Sequence, residues 1–408
     1  MKWPQGWREV SILDVCQLNP SLTRNEWPSD DALVSFVPMS AVDENRGVIA
    51  YPEERPFSEV KKGYTPFRTG DVLFAKVTPC MENGKVAIAE GLRSGIGFGS
   101  TEFHVLRPNP ELLTPEYVFY FVRQPWFRLQ AASAFVGTGG LQRVPPGFFK
   151  RVRLPLPPLP EQQRIVEVLH AAAALRQAKQ RVLQGFDEVI QAQYRAQFGR
   201  YFTRQGLLNA TRIGEHVEST QYGVSEAMAE AGSHAVLRMN SITSSGWLDL
   251  SDLKYADLSS QDAAATTLQD GDLLFNRTNS RELVGKCAIW RGEPGRYSFA
   301  SYLVRLRLKP TLLPEYLWAT LNSPYGKYRL FNAAKQAVSM ANVSPTDLAR
   351  ISIPLPPVEE QSLFAAFVRE VERQRGQISV SGARMQTLQP ALITEALSGR
   401  LTAAWREQ

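Results

Sequence analysis

An α+β architecture, two mixed α/β units in tandem repeat separated by two long helices paired as an antiparallel coiled coil, is predicted by three observations. Sequence blocks recur in one order at a nearly constant offset, each copy ends in a proline-rich strut, and a long amphipathic segment follows each strut. The expected boundaries are 1–158 for the first unit, 159–203 for a central helical spacer, 204–357 for the second unit and 358–408 for a C-terminal helical spacer.

The repeat comes first, because self-similarity decides how everything else is read. Gly70 to Phe74 (GDVLF) recurs as Gly271 to Phe275 (GDLLF), and Gly84-Lys85 recurs as Gly285-Lys286, both at an offset of 201. Pro115-Glu116-Tyr117 returns as Pro314-Glu315-Tyr316, and LPLPPLPEQ, Leu154 to Gln162, returns as IPLPPVEEQ, Ile353 to Gln361, at an offset of 199. Small insertions explain the drift; chance does not keep four blocks in order. Each Gly-Asp turn precedes a short apolar strand (72–74; 273–275), and each Gly-Lys turn leads into a second (86–89; 287–290). Alternating strands at 102–106 and 302–308 and aromatic-rich helical stretches at 117–123 and 316–321 complete a mixed unit.

The struts carry Pro155, Pro157, Pro158 and Pro160 in one copy and Pro354, Pro356 and Pro357 in the other, whose fixed φ favours a stiff extended chain. Helices begin there, since Pro160 suits a first turn and Glu161, Glu359 and Glu360 place negative charge at an N-terminus. On the first helix Ile165, Val168, Ala172, Leu175, Val182, Phe186 and Val189 form the expected seam, interrupted by Lys179. On the second, Phe364, Phe367, Val371, Ile378, Met385, Leu388 and Leu392 do so, with Gln374 and Ser381 as polar members. Two matched helices too long for one small unit to cover are expected to bury their seams on each other, with the units at opposite ends. Residues 161–198 as one helix span about 57 Å at about 1.5 Å per residue.

Composition bounds the function. The 408 residues are 44% hydrophobic and 21% charged, which excludes wholesale disorder, and 46 Lys plus Arg against 40 Asp plus Glu lean toward a polyanionic partner. Cys16, Cys80 and Cys287 are too far apart for a disulfide framework or a paired-cysteine metal clamp, and no run of about 18 apolar residues suggests a membrane span. A cytoplasmic protein is expected. His104, His170, His216 and His234 show no metal-ligand spacing. The Gly-Lys sites fail as phosphate loops, because Val86 and Cys287 replace the required Ser/Thr and Pro79 and Ser280 stand where the first glycine belongs. Gly137-Thr138-Gly139-Gly140 lacks the strand-before, helix-after context of a cofactor loop, and Asn19-Pro20 is followed by Ser21-Leu22 rather than by the Pro-aromatic pair that grips a flipped base. The chain is expected to be no enzyme by itself and to hold no cofactor or metal.

These residues together carry a resemblance. The GD-x-LF and Gly-Lys blocks, the twin PLPP-x-x-EQ boundaries at Pro155 to Gln162 and Pro354 to Gln361, and ALITEALSGRL at Ala391 to Leu401 make the whole chain resemble the DNA specificity subunit of type I restriction-modification systems. Gln221 to Ser225, Val236 to Ile242 and Leu248 to Tyr255 look like the opening of a target-recognition domain of that family, whereas the first domain opens less typically. The resemblance implies a non-catalytic subunit with two target-recognition domains, each reading half of a split double-stranded DNA sequence. It also implies two methyltransferase (modification) subunits docked on the helices, and restriction/translocase subunits in the same host-defence complex. S-adenosylmethionine, ATP and Mg belong to those partners. The competing readings are a scaffold that organises proteins without reading DNA, and part of a self-sufficient restriction-methylation enzyme, which needs a catalytic domain in the same chain.

Base discrimination takes bidentate or matched polar side chains offered from loops on a rigid scaffold. Two segments per copy qualify. The first holds Lys76, Thr78, Glu82 and Asn83 in copy one and Asn276, Arg277, Thr278, Asn279, Ser280 and Arg281 in copy two. The second holds Thr138, Gln142 and Arg143, and then Gln336, Ser339 and Asn342. Lys150, Arg151 and Arg153 suit phosphate contacts. A solvated turn is the competing reading for each. Tyr64, Phe67, Tyr222 and Trp247, aromatics near these turns, are expected to pack in the core.

Overall fold

Gly70 and Gly271 hold φ of +89° and +88°, a left-handed conformation that a Cβ disfavours, and each turns the chain into a buried strand. The aspartate after each glycine fastens that turn. Asp71 accepts from the Arg68 backbone N–H (2.7 Å) and from Arg107 Nε and Nη2 (2.7 Å each), while Asp272 accepts from the Gln269 N–H (2.8 Å) and Arg307 Nε (2.9 Å). One carboxylate thus ties a turn to a neighbouring strand in both copies, which is what the repeated Gly-Asp pair is for.

The computed structural model describes residues 3–407 apart from 138–139, 281–282, 293–294 and 337–340, and only the backbone at 335–336 and 379–390. The chain divides into unit 1, Met1–Gln177 with Arg384–Gln408, and unit 2, Ala178–Ala383. Unit 1 carries β1 (Cys16–Leu18), β2 (Leu33–Val37), β3 (Glu53–Pro56), β4 (Thr65–Arg68), β5 (Val72–Ala75), β6 (Val86–Ile88), β7 (Ile96–Gly99) and β8 (Phe103–Pro108). An antiparallel sheet runs β1-β8-β5-β6; a second runs β3-β2-β7-β4 with β2 and β7 parallel. Helices α1 (Pro115–Val122) and α2 (Pro125–Ser133) follow, then α3 (Leu159–Phe198).

Unit 2 repeats the plan with β9 (Val217–Tyr222), β10 (His234–Leu237), β11 (Lys254–Ala256), β12 (Leu273–Asn276), β13 (Thr278–Asn279), β14 (Cys287–Ile289), β15 (Tyr297–Phe299) and β16 (Leu303–Leu308). Its antiparallel sheet runs β9-β16-β12-β14, and β11-β10-β15 repeats the parallel step between β10 and β15. After α4 (Pro314–Asn322) and α5 (Pro324–Ala333) come β17 (Lys335–Gln336), β18 (Ala341–Asn342) and α6 (Val358–Leu397).

Equivalent aromatics fill equivalent cores. Tyr117 and Tyr316 are buried and donate to Pro155 O (2.9 Å) and Pro354 O (2.8 Å), pinning each strut to its helix. The motif glutamines complete the joint. Gln162 accepts from the Thr114 N–H (3.0 Å) and donates to Leu112 O (2.8 Å) and Pro157 O (2.9 Å); Gln361 accepts from the Leu313 N–H (2.9 Å) and donates to Thr311 O (3.2 Å) and Pro356 O (2.8 Å). Both are fully buried, so their amides satisfy backbone groups that water cannot reach.

Both long helices are present at 40 residues each. Within unit 1, Ile165 and Leu169 of α3 share a core with Ala396 and Leu397 of α6; within unit 2, Ile190, Tyr194 and Phe198 of α3 share one with Phe364, Val368 and Val371 of α6. The seam expected on α3 needs correction: Leu175, Val182 and Val189 are 54%, 47% and 51% exposed. A strict seven-residue step drifts about 20° per heptad on a straight α-helix, so the chosen positions leave the buried face. Of the α6 seam, Ser381, Met385 and Leu388 lie outside the described side chains.

Candidate nucleic-acid interface

Where β5 and β12 end, the chain leaves each sheet and pairs with a distant segment. Lys76 donates its backbone N–H to Glu102 O (2.9 Å) and its carbonyl accepts from the Val144 N–H (2.8 Å). Arg277, one repeat later, donates to Tyr302 O (3.1 Å) and accepts from the Val343 N–H (2.8 Å). The same two hydrogen bonds thus recur in both units.

They bring together the segments that the sequence singles out separately. In unit 1, Val77 bridges Arg143, which also bridges Val136. Thr78 donates its N–H to Gln142 O (3.0 Å), its Oγ1 donates to Gly140 O (2.9 Å) and that oxygen accepts from the Gln142 N–H (3.1 Å). In unit 2, β13 pairs with β18, Thr278 opposite Asn342 and Asn279 opposite Ala341, and β17 adds the third strand.

Side chains differ between the two patches. Arg143 forks onto Glu102, Nε to Oε2 at 2.9 Å and Nη2 to Oε1 at 2.7 Å, and this bonding holds the Glu102 carboxyl below its ordinary value. Lys76 and Thr78 are half-buried, whereas Asn83 and Gln142 are exposed. In unit 2 Arg277 meets the Tyr222 ring at 5.1 Å instead of a carboxylate. Asn276 is fully buried, so its side chain does not reach the surface; its Oδ1 accepts from the Thr278 N–H (3.3 Å) while Nδ2 has no partner. Asn342 Oδ1 and Arg277 Nε are also buried without partners. Asn279 turns its Oδ1 onto the N–H of exposed Ser280 (2.8 Å). Thr138, Arg281 and Ser339 lie outside the described residues, as does the Gln336 side chain.

Lys150, Arg151 and Arg153 are exposed, next to a turn braced by buried Phe148 and Phe149, and none has a carboxylate partner among the described residues. The aromatics divide. Phe67 and Trp247 are buried as expected, but Tyr64 and Tyr222 are 38% and 46% exposed, which corrects their assignment to the core. Sequence reading missed Glu102 as the partner of Arg143 and Tyr222 as the partner of Arg277; neither contact has a fixed spacing along the chain.

His104 lies beneath the unit 1 patch. Buried on β8, it makes a 2.8 Å hydrogen bond from Nε2 to Val144 O and a 3.1 Å one at Nδ1 with Asn19 Nδ2, and burial pushes its imidazole below its ordinary value. The Gly-Lys pairs hold backbone rather than phosphate: Lys85 Nζ donates to Val42 O (2.9 Å) and Lys286 Nζ to Ile242 O (2.6 Å). Burial pushes the Cys16 and Cys287 thiols up to about 12, which leaves them un-ionised at neutral pH. Among the described residues no group of three or more His, Cys, Asp or Glu is placed to hold a metal, and no helix is long and apolar enough to cross a membrane.

The family model described as the type I restriction modification DNA specificity domain matches residues 4–184 and 217–379. The chain belongs to this family. Its role at family level is DNA specificity, which is a non-catalytic one. The specificity chain is 25% identical over 427 aligned positions to the type I restriction enzyme EcoKI specificity subunit of Escherichia coli strain K12, covering 91% of this chain and 90% of that one. It is 38% identical over 163 residues to the EcoEI specificity subunit of Escherichia coli, covering 40% of this chain but only 27% of that subunit's length. A solved chain from work on complex assembly and conformational transition of the type I R-M system aligns with 98% of this chain and 100% of its own at a TM-score of 0.53 and 22% identity, a likeness of fold.

Proposed function

We propose that each unit reads one half of a bipartite double-stranded DNA target, unit 1 from the loops that carry Lys76, Thr78, Asn83, Thr138, Gln142 and Arg143 and unit 2 from those that carry Arg277, Thr278, Asn279, Ser280, Arg281, Gln336, Ser339 and Asn342. The single observation that carries this reading is one hydrogen bond repeated in both units beside these residues, Val144 N–H to Lys76 O and Val343 N–H to Arg277 O, each 2.8 Å. Loops backed by a sheet present polar side chains at low entropic cost, as base readout requires. Lys150, Arg151 and Arg153 contact phosphate and set register without reading sequence. Asn276 acts indirectly, shaping the loop from below.

The long helices pair as an antiparallel coiled coil and dock two methyltransferase subunits, with restriction/translocase subunits completing the assembly. Support comes from contacts inside each unit. In unit 2, Arg375 Nη1 donates to Leu183 O (3.1 Å) and Gln197 Nε2 to Glu360 O (2.7 Å), a descending register against an ascending one. In unit 1, buried Glu161 accepts from Trp7 Nε1 (2.8 Å), Thr402 and Arg406. Catalysis belongs to the partners.

The test measures affinity for duplexes varied in either half, with the methyltransferase bound, at two salt concentrations. Arg277→Ala is expected to relax preference in one half only, by about five- to 150-fold at one position. Lys150→Ala is expected to weaken all sequences alike and flatten the salt dependence. A complex that assembles but shows no sequence preference in either half would instead make the chain a scaffold.

A further inference from the structure

We propose that unit 2 reads a guanine through Arg277 and that Tyr222 is the positioning residue that sets the plane of its guanidinium. This rests on the half-site reading above and goes further, naming the base and an aromatic residue that the sequence alone places in the core. Four observations converge. The Arg277 backbone is pinned on both sides, by Tyr302 O at 3.1 Å and the Val343 N–H at 2.8 Å, so its Cα has a fixed origin. Its guanidinium carbon lies 5.1 Å from the Tyr222 ring centroid, within stacking range. Its Nε is buried without a partner, while neither Nη makes a hydrogen bond or ion pair among the described residues. Tyr222 is 46% exposed at the end of β9, so the pair lies at the surface.

A guanidinium is planar, and all five of its N–H donors lie in that plane. An aromatic face holds the plane without consuming a donor, whereas a carboxylate holds it by consuming two. Unit 1 shows the second solution, because Arg143 spends Nε and Nη2 on Glu102. Unit 2 keeps its Nη pair for a ligand. The complement to two parallel donors on a base edge is the O6 and N7 pair of guanine in the major groove. Adenine offers N7 but turns a donor toward the second N–H, so it is rejected.

The experiment uses the full chain in complex with its methyltransferase and duplexes carrying the target identified by methylome sequencing. Each guanine in the unit 2 half is replaced singly by 7-deazaguanine, which removes N7 and leaves base pairing intact. The wild type is expected to lose about five- to 150-fold in affinity at one such position. Arg277→Ala loses that affinity on the natural duplex and no longer responds to the replacement. Tyr222→Phe, which keeps the ring, matches the wild type; Tyr222→Ala loses most of the sensitivity at that guanine while discrimination at all other positions, including the unit 1 half, is unchanged. A merely structural tyrosine would weaken every position together, and that result overturns the positioning role, as does Tyr222→Ala with undiminished sensitivity. Wild-type binding indifferent to every 7-deazaguanine, with base preference still present in that half, overturns the guanine assignment alone. Loss of all preference in that half for the wild type overturns the half-site reading on which it stands.

Discussion

Arginine is used in two ways by the paired loops, and the difference decides what each can offer a ligand. Arg143 is committed to Glu102, and Arg277 rests on Tyr222. Removing Glu102 therefore frees a guanidinium in unit 1: Glu102→Ala is expected to raise overall DNA affinity and steepen its salt dependence, measured by titration at two ionic strengths. His104 gives a pH prediction. Its folded-state proton affinity is below the ordinary value because burial opposes the charged form, so stability is fully present above about pH 6.5 and is lost as pH falls below it. Thermal melting of the full chain is expected to show unit 1 weakening on acidification, and His104→Gln is expected to flatten that dependence. Neither arrangement is legible in the sequence, because Glu102 and Arg143 are joined only when β8 and the loop before the strut meet, and no periodicity encodes that meeting. The residue types were legible; their partners were not.

At the scale of elements the repeat proves to be a set of joints. Gly-Asp, Gly-Lys and PLPP-x-x-EQ recur because each supplies a polar group that fastens a turn to something distant: buried Asp71 to Arg107, half-buried Lys85 to the carbonyl of Val42, buried Gln162 to Leu112 and Thr114. Such blocks are visible by identity alone, so strands, struts and helix starts are legible in the sequence. The buried face of α3 is not legible in this way, since a seven-residue step points to Val182 and Val189 while Ile190, Tyr194 and Phe198 are what the core covers. Gln162→Ala leaves three backbone groups without partners, and each such group costs about 1–3 kcal/mol when it stays dry. Chemical denaturation of the full chain is expected to show that loss, and Gln361→Ala a matching one. Deleting residues 385–408 removes Thr402 and Arg406 from buried Glu161, which keeps only Trp7 of these donors, and takes Ala396 and Leu397 out of the shared core, so assembly with methyltransferase subunits is expected to fail in a pull-down.

For the whole molecule, duplication predicts modularity: each unit carries its own pair of loop segments, so damage to one is expected to leave the other intact. The family membership gives DNA specificity as the role, and the hydrogen bond repeated at Lys76 and Arg277 supports the sites proposed for it. On the proposed reading, one chain reads two half-sites independently. Methylome sequencing of a host carrying this protein and its methyltransferase, wild type against Arg277→Ala, tests it most directly. A split motif is expected in the wild type and, in the variant, a motif degenerate at one position of one half with the other half unchanged. An undivided motif, or degeneracy spread across both halves in the variant, would contradict it.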